Sequence, residues 1–220
     1  MTQLQTEIEL LKNEMNNMWD LVRTQLVKAK TSLVNFDKNL AREVISKEKR
    51  VNAYELKIDR DCEDIFALYT PVAIDLRFLL AVLKINTNLE RTGDIAEGVA
   101  KYVLNAEKAF SPEILKATKV IEMFEEAIKM FDEATVAFDK EDPSLARNVF
   151  AKDEFLDDIN KRANHLVMDY LKEYPNELDM ALYVLSIIRK LERVGDQSKN
   201  VAEEIIFYVE AKVVKHSNKL

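Results

Sequence analysis

Glycine and proline are scarce in this chain, which has three glycines and four prolines among its 220 residues. Sheet proteins rely on such residues for their tight turns, so their scarcity favours long helices joined by short connections. Cysteine is scarcer still, because Cys62 stands alone and cannot form an internal disulfide. With no signal-peptide pattern in the polar, acidic N-terminus, this indicates a reducing compartment, and we expect a cytoplasmic protein.

Long apolar runs and clusters of positive charge are missing as well. The longest fully apolar stretch, residues 78–83, is far too short to span a bilayer, so membrane contact is expected only through a partner. The net charge is −7 and the pI is near 5.1. Binding to nucleic acid depends on clustered lysine and arginine, so nucleic acid is not an expected partner.

The chain does have strong helical periodicity. Between Ile8 and Phe36 the apolar residues recur at steps of three and four, which predicts one long helix. Later helix starts are indicated by Thr70-Pro71, Ser111-Pro112 and Asp142-Pro143, each a capping residue followed by proline, and by Pro175-Asn176. The predicted helices are 4–36, 39–69, 71–106, 112–139, 143–173 and 176–214.

Two sequence motifs occur twice, in the same order. Leu40-Ala-Arg-Glu-Val-Ile-Ser-Lys-Glu48 parallels Leu145-Ala-Arg-Asn-Val-Phe-Ala-Lys-Asp153, and Leu89-Glu-Arg-Thr-Gly-Asp94 parallels Leu191-Glu-Arg-Val-Gly-Asp196. The second pair of motifs is offset by 102 residues. We therefore predict an all-α protein of two pseudo-repeated antiparallel three-helix bundles, repeat 1 over residues 1–108 and repeat 2 over residues 109–220.

Acidic residues recur at matched positions of the two repeats, spaced four apart on one helix face. The pairs are Glu90 with Asp94, Glu192 with Asp196, Asp153 with Asp157, and, as the counterpart of the last, Glu48 with Asn52. Like charges at this spacing destabilise a helix by about 0.2–0.5 kcal/mol, so their repetition calls for a compensating cation.

Gly93 and Gly195 lie inside these pairs, although glycine in a helix interior costs about 1 kcal/mol. We therefore expect something to approach the backbone closely there, either a neighbouring helix, a metal-linked group or both. In an antiparallel hairpin turning at Pro71, Glu48 and Asp94 come level, because each is 23 residues from that proline. Converging carboxylates with waters suit Mg²⁺, Mn²⁺ or iron.

The doubled Leu-Glu-Arg-x-Gly-Asp motif resembles the PhoU family. So do Pro71-Val-Ala-Ile-Asp-Leu-Arg77 and the segment Ile205-Ile-Phe-Tyr-Val209 followed by His216, and the resemblance covers almost the whole chain. It implies two three-helix bundles that bind Mg, Mn, Fe or Zn ions in mononuclear or multinuclear sites. The implied metal ligands are Glu48, Asn52, Glu90 and Asp94 in repeat 1, and Asp153, Asp157, Glu192, Asp196 and Asn200 in repeat 2.

The resemblance also implies a function. It predicts a negative regulator of phosphate uptake and of the phosphate-starvation response, a metal-binding adaptor between the ATPase subunit of a phosphate ABC transporter (PstB-like) and a sensor histidine kinase (PhoR-like). Self-association into a homodimer is left open. Two departures bear on the metal sites: Gly98 stands where repeat 2 has Asn200, and Asn52 replaces the more usual second acid. We therefore expect repeat 2 to hold metal more tightly than repeat 1.

Three alternative functions compete with this interpretation. Di-iron oxidases in helical bundles use Glu-x-x-His ligands, but Arg162 and Val213 stand three residues before the two histidines, His165 and His216. With no P-loop or nucleophile motif either, an enzyme is not expected. A metal-independent helical scaffold and a PhoU-like partner of a sodium–phosphate cotransporter both remain open.

Overall fold

The computed structural model describes residues 2–214, which form helices joined by short connections, with no strand among them. The helices are α1 Gln3–Asn35, α2 Lys38–Tyr69, α3 Ala73–Asn105, α4 Pro112–Thr118, α5 Val120–Asp139, α6 Pro143–Phe150, α7 Asp153–Glu173 and α8 Leu178–Glu210, with a 3-10 turn at Pro175–Glu177. Helices α1–α3 form one bundle. The other consists of α4 with α5, α6 with α7, and α8. The predicted pair of pseudo-repeated three-helix bundles is confirmed.

Two of the predicted helices are broken, and both breaks fall in repeat 2. The predicted helix 112–139 was wrong as a single rod, because Lys119 takes the left-handed conformation, with φ 55°, and separates α4 from α5. The break allows α4 to pack on α7 while α5 packs mainly on α8. The predicted helix 143–173 breaks at Ala151 and Lys152, where the Lys152 amide donates to the Val149 carbonyl three residues back. Asp153 therefore becomes the first residue of α7.

The capping predictions were right at two of the prolines. Ser111 Oγ accepts a hydrogen bond from the Ile114 amide at 3.3 Å, and Asp142 Oδ1 accepts one from the Ser144 amide at 2.8 Å. In each case the following proline is the first residue of its helix. These side chains satisfy amides that have no partner inside the helix.

The other proline predictions were wrong. Thr70 ends α2 in the left-handed conformation, with φ 45°, so it caps the end of one helix and not the start of the next. Helix α3 begins at Ala73, two residues beyond Pro71. Asn176 lies inside the 3-10 turn, and the last helix ends at Glu210 instead of continuing to residue 214.

One hydrophobic core runs through both bundles. Trp19 of α1 is 1% exposed, as expected of a packing residue, and its ring meets the edge of Phe131 of α5 with 4.8 Å between ring centroids. Phe78 of α3 meets Tyr208 of α8 in the same manner at 5.5 Å. Because α3 also packs along the length of α8, the two repeats share their interior and stabilise each other.

No helix between residues 2 and 214 combines the length and the apolar character needed to cross a bilayer. His216, part of the motif noted in the sequence, lies outside the described residues, as does the end of the predicted second repeat.

The cap at α6 gives a first prediction. Replacing Asp142 with alanine should lower the free energy of unfolding by about 1 kcal/mol, because the Ser144 and Leu145 amides lose their acceptor. Urea denaturation measures the change. The control is Asp158→Ala, an exposed carboxylate whose partner is Arg162 one turn away, which should cost less than about 0.5 kcal/mol. Equal losses in the two variants would show that the cap is not what stabilises this helix.

Candidate functional site

The two motif glycines lie where neighbouring helices come closest. A Cβ atom on Gly93 would be 3.0 Å from Val51 Cγ1 of α2, and one on Gly195 would be 2.6 Å from Leu156 Cδ1 of α7. The same Cβ atoms would be 3.4 Å from Glu48 Oε2 and 3.2 Å from Asp153 Oδ1. The predicted close approach is confirmed, and both an apolar side chain and a carboxylate of the adjacent helix make it.

In repeat 1 this close approach buries Glu48. Glu48 is only 6% exposed, and neither of its carboxylate oxygens has a hydrogen-bond partner among the described residues. Burial, followed by the charges of Asp94, Glu97 and Glu90, raises the pKa of Glu48 to about 7. A buried carboxylate without a partner is costly. The predicted register, with Glu48 close to Asp94, is therefore what the structure has, and it places a buried carboxyl group among acidic neighbours.

Two further acids join repeat 1 that sequence reasoning missed. Glu55 of α2 is half-buried, and its charge, after burial and the charge of Asp94, raises the pKa of Glu90. Glu97 of α3 lies near enough to Glu48 to raise the pKa of that group. The implied ligand Asn52, by contrast, is exposed. Glu55, three residues beyond Asn52 on the same helix face, was the available signal.

In repeat 2 the four implied carboxylates also converge. Burial, followed by the charges of Asp196, Asp157 and Asp153, raises the pKa of Glu192. Here, however, a cation lies among them. The Lys199 ammonium donates a hydrogen bond to Asp153 and lies 2.9 Å from Asp196 Oδ1.

Lys199 was not foreseen from the sequence. It occupies the position of repeat 2 that corresponds to Glu97 in repeat 1, since the two acidic motifs are offset by 102 residues. Continuing the motif comparison three residues beyond Asp94 and Asp196 would have found this reversal of charge. The two repeats therefore share a backbone arrangement, but the charges are exchanged at two positions, since Glu97 and Lys101 correspond to Lys199 and Glu203.

Asn200 and Gly98 lie at the contact between the repeats. The Asn200 side-chain amide donates to Asn88 Oδ1 of α3 at 3.3 Å, so the structure engages this implied ligand across the α3–α8 interface. Lys190, the repeat counterpart of Asn88, lies over Gly98, where a Cβ atom would be 2.6 Å from the lysine Nζ. Gly98 thus makes room for a side chain of α8.

The donor sets of the two repeats differ in how well they fit a metal ion. Between residues 2 and 214, no three histidine, cysteine, aspartate or glutamate side chains are arranged to hold a metal together. Mg²⁺ needs fewer, because it keeps several waters and binds through one or two carboxylates. The unpartnered carboxylate of Glu48 beside Asp94 fits such a hydrated ion. In repeat 2, Lys199 already bonds to both Asp153 and Asp196.

The packing at the glycines predicts opposite effects of alanine at two sites. Gly195→Ala should lower the free energy of unfolding, because its Cβ would collide with the fully buried Leu156, although alanine favours a helix by about 1 kcal/mol. Gly98→Ala is the matched control and should gain up to about 1 kcal/mol, because the chain end of Lys190 can move aside. Urea denaturation measures both, and stabilisation by both substitutions would contradict the packing argument.

The raised pKa of Glu48 predicts a pH dependence of stability. The folded protein holds this proton more tightly than the unfolded chain does, so the stability it contributes at low pH is lost as the pH rises toward about 7. In metal-free buffer, Glu48→Gln should lose less stability than the wild type between pH 5 and pH 8, as measured by urea denaturation. Glu154→Gln, at an exposed position, should follow the wild type. Parallel curves for all three proteins would contradict the assignment.

Comparison with known proteins gives one consistent result. The family profile described as the PhoU domain matches residues 15–103 and 120–205. The "phosphate-specific transport system accessory protein PhoU homolog 1" of Thermotoga maritima is 32% identical over 210 residues, which cover 95% of this chain and 90% of the relative.

Solved structures agree with the sequence comparison. The crystal structure of PhoU from Pseudomonas aeruginosa superposes with a TM-score of 0.90 at 32% identity, covering 96% of this chain and all of that one. The phosphate transport system regulatory protein PhoU from Streptococcus pneumoniae superposes with a TM-score of 0.84 at 27% identity, over 97% of this chain and all of that one. By its two matched domains, its full-length relatives and its fold, this chain belongs to the PhoU family.

Proposed function

We propose that this protein is an accessory and regulatory protein of phosphate-specific transport that acts by binding and does not turn over a substrate. The observation that carries the proposal is the similarity to proteins named for that role, which extends over 95% of the chain in one relative and 97% in others. Those relatives are named as accessory proteins of a transport system. The chain's own chemistry agrees, since its converging side chains are carboxylates suited to holding a cation.

A divalent cation belongs to this proposal. In repeat 1, Glu48 and Asp94 would hold it, with Glu90 and Glu97 close enough to contribute charge. When bound, the ion supplies the positive charge that the converging carboxylates lack. Neither oxygen of Glu48 has a hydrogen-bond partner among residues 2–214, so Glu48 can accept an ion or its waters without breaking a hydrogen bond within that range.

The proposed partners are a PstB-like transporter ATPase subunit and a PhoR-like sensor histidine kinase, met in the cytoplasm. The proposed effect is negative regulation of phosphate uptake and of the phosphate-starvation response. A net charge of −7 supports recognition through acidic faces. Charged surfaces of this kind determine partner choice and encounter rate more than affinity, so partner binding should weaken as salt concentration rises.

The test is genetic, with a matched pair of variants. Deleting the gene in its host should make phosphate-starvation reporters constitutive in phosphate-rich medium. Wild type and the control Glu154→Gln/Asp158→Asn, which changes two exposed acids, should restore repression. Glu48→Gln/Asp94→Asn should restore it poorly, although it removes the same number of charges.

Normal repression in the deletion strain, with no transporter ATPase or histidine kinase recovered by pull-down, would overturn the proposal. Recovery of a sodium–phosphate cotransporter in that pull-down would instead support the cotransporter-linked alternative. Equal rescue by both double variants would separate the regulatory role from the carboxylates of repeat 1.

A further inference from the structure

We propose that Lys199 is a built-in cation that replaces the metal ion in repeat 2, so that this chain binds a divalent cation at repeat 1 alone. The inference rests on the metal binding included in the proposed function, and it specifies where that binding occurs. It reverses the order that Asn52 and Gly98 suggested from sequence.

Lys199 lies among the converging acids of repeat 2. Its ammonium bonds to Asp153 of α7 and to Asp196 of α8, and so it bridges the two helices between which the acids converge. It is also sheltered, since its side chain is 25% exposed and that of Asp153 is 14% exposed. A metal ion entering here would have to displace a bound positive charge.

Repeat 1 has the opposite charge at the position of Lys199. The corresponding position carries Glu97, which adds negative charge near Glu48 where repeat 2 adds positive charge. Lys101, one turn further along α3, pairs with Glu97, and its charge offsets part of the negative charge near Glu48. It makes no hydrogen bond to Glu48, whose two carboxylate oxygens have no hydrogen-bond partner between residues 2 and 214. Glu48 is only 6% exposed, so its carboxylate is withdrawn from bulk solvent. It is therefore in repeat 1 that the acids around Glu48 still need a cation.

Gly98, one of the two departures that suggested a weak first site, has a packing role instead. Gly98 accommodates the stem and ammonium of Lys190 at the α3–α8 contact, so the glycine is explained by packing between the repeats. Its counterpart Asn200 bonds to Asn88 at the same contact and not to the acids. The difference between Gly98 and Asn200 thus concerns how the repeats join, and gives no measure of metal affinity.

The test is a titration of the full-length, chelator-treated protein with Mn²⁺, in which electron paramagnetic resonance counts the free ion. The wild type should bind one equivalent tightly. Lys199→Met, which removes the charge and keeps the length, should gain a second equivalent, as should Lys199→Glu, which reproduces the side chain of repeat 1. The second site should be at least about tenfold tighter in these variants than any residual second binding by the wild type.

Two further variants complete the experiment. Glu97→Lys should remove the single equivalent of the wild type, because it places the lysine of repeat 2 into repeat 1. Lys161→Met is the control, since Lys161 pairs with Asp157 at 3.3 Å but its side chain is 74% exposed. It should leave the stoichiometry at one. Circular dichroism and thermal melting establish that each variant is folded, and Lys199→Met suffices if Lys199→Glu does not fold.

The outcomes separate this inference from the function proposed above. Two equivalents bound by the wild type, or one equivalent that Asp196→Asn removes and Glu48→Gln does not, would overturn it while leaving metal binding intact. An unchanged stoichiometry in Lys199→Met would also overturn it. Absence of Mn²⁺ binding by the wild type and both Lys199 variants would overturn the inference and the metal part of the proposed function, without bearing on the reporter test of regulation.

Discussion

The close packing of α3 on α2 and of α8 on α7, at Gly93 and Gly195, is the constraint on which the rest of the structure depends. Each glycine costs its helix about 1 kcal/mol compared with alanine, and in return the adjacent helix can place a side chain where a Cβ would stand. The side chains that enter include the carboxylates of Glu48 and Asp153. Tight packing and burial of the acids are therefore consequences of the same contact. Each glycine serves both the packing of the helices and the chemistry of the site.

Burying a carboxylate requires a compensating charge, and the two repeats meet this requirement differently. In repeat 2 the chain supplies the charge itself, because Lys199 bonds to both flanking acids. In repeat 1 the same position is Glu97, and burial, followed by the charges of Asp94 and Glu97, raises the pKa of Glu48 to about 7. The raised pKa of Glu48 lowers the stability of the fold at neutral pH, because the carboxyl group must either stay protonated or ionise while buried. The two repeats therefore share a backbone arrangement and differ in the charges next to the buried acid.

The fold class was predictable because periodicity and duplicated motifs are local in sequence. Trp19 was correctly assigned to the core for the same reason. The break at Lys119 was not predictable, since a lysine in the left-handed conformation costs roughly 1–2 kcal/mol and is tolerated only where tertiary contacts require it. The candidate site was predictable as to which acids face one another. The burial of Glu48 was not, because it depends on how deeply α2 sits against α3, which no spacing along one helix reveals.

The acidic sites and the contact between the repeats are built on the same two helices, α3 and α8. On α3, Gly93 faces Val51 of α2, and little more than one turn later Gly98 faces Lys190 of α8. Protein interiors are packed densely enough to transmit small displacements, and one continuous core links the bundles. The acids of repeat 1 on α3 and those of repeat 2 on α8 therefore lie on two helices that pack directly against each other. The difference in charge between the repeats is thus built into one shared structural element, and the contact at Gly98 and Lys190 fixes how the two halves of that element meet.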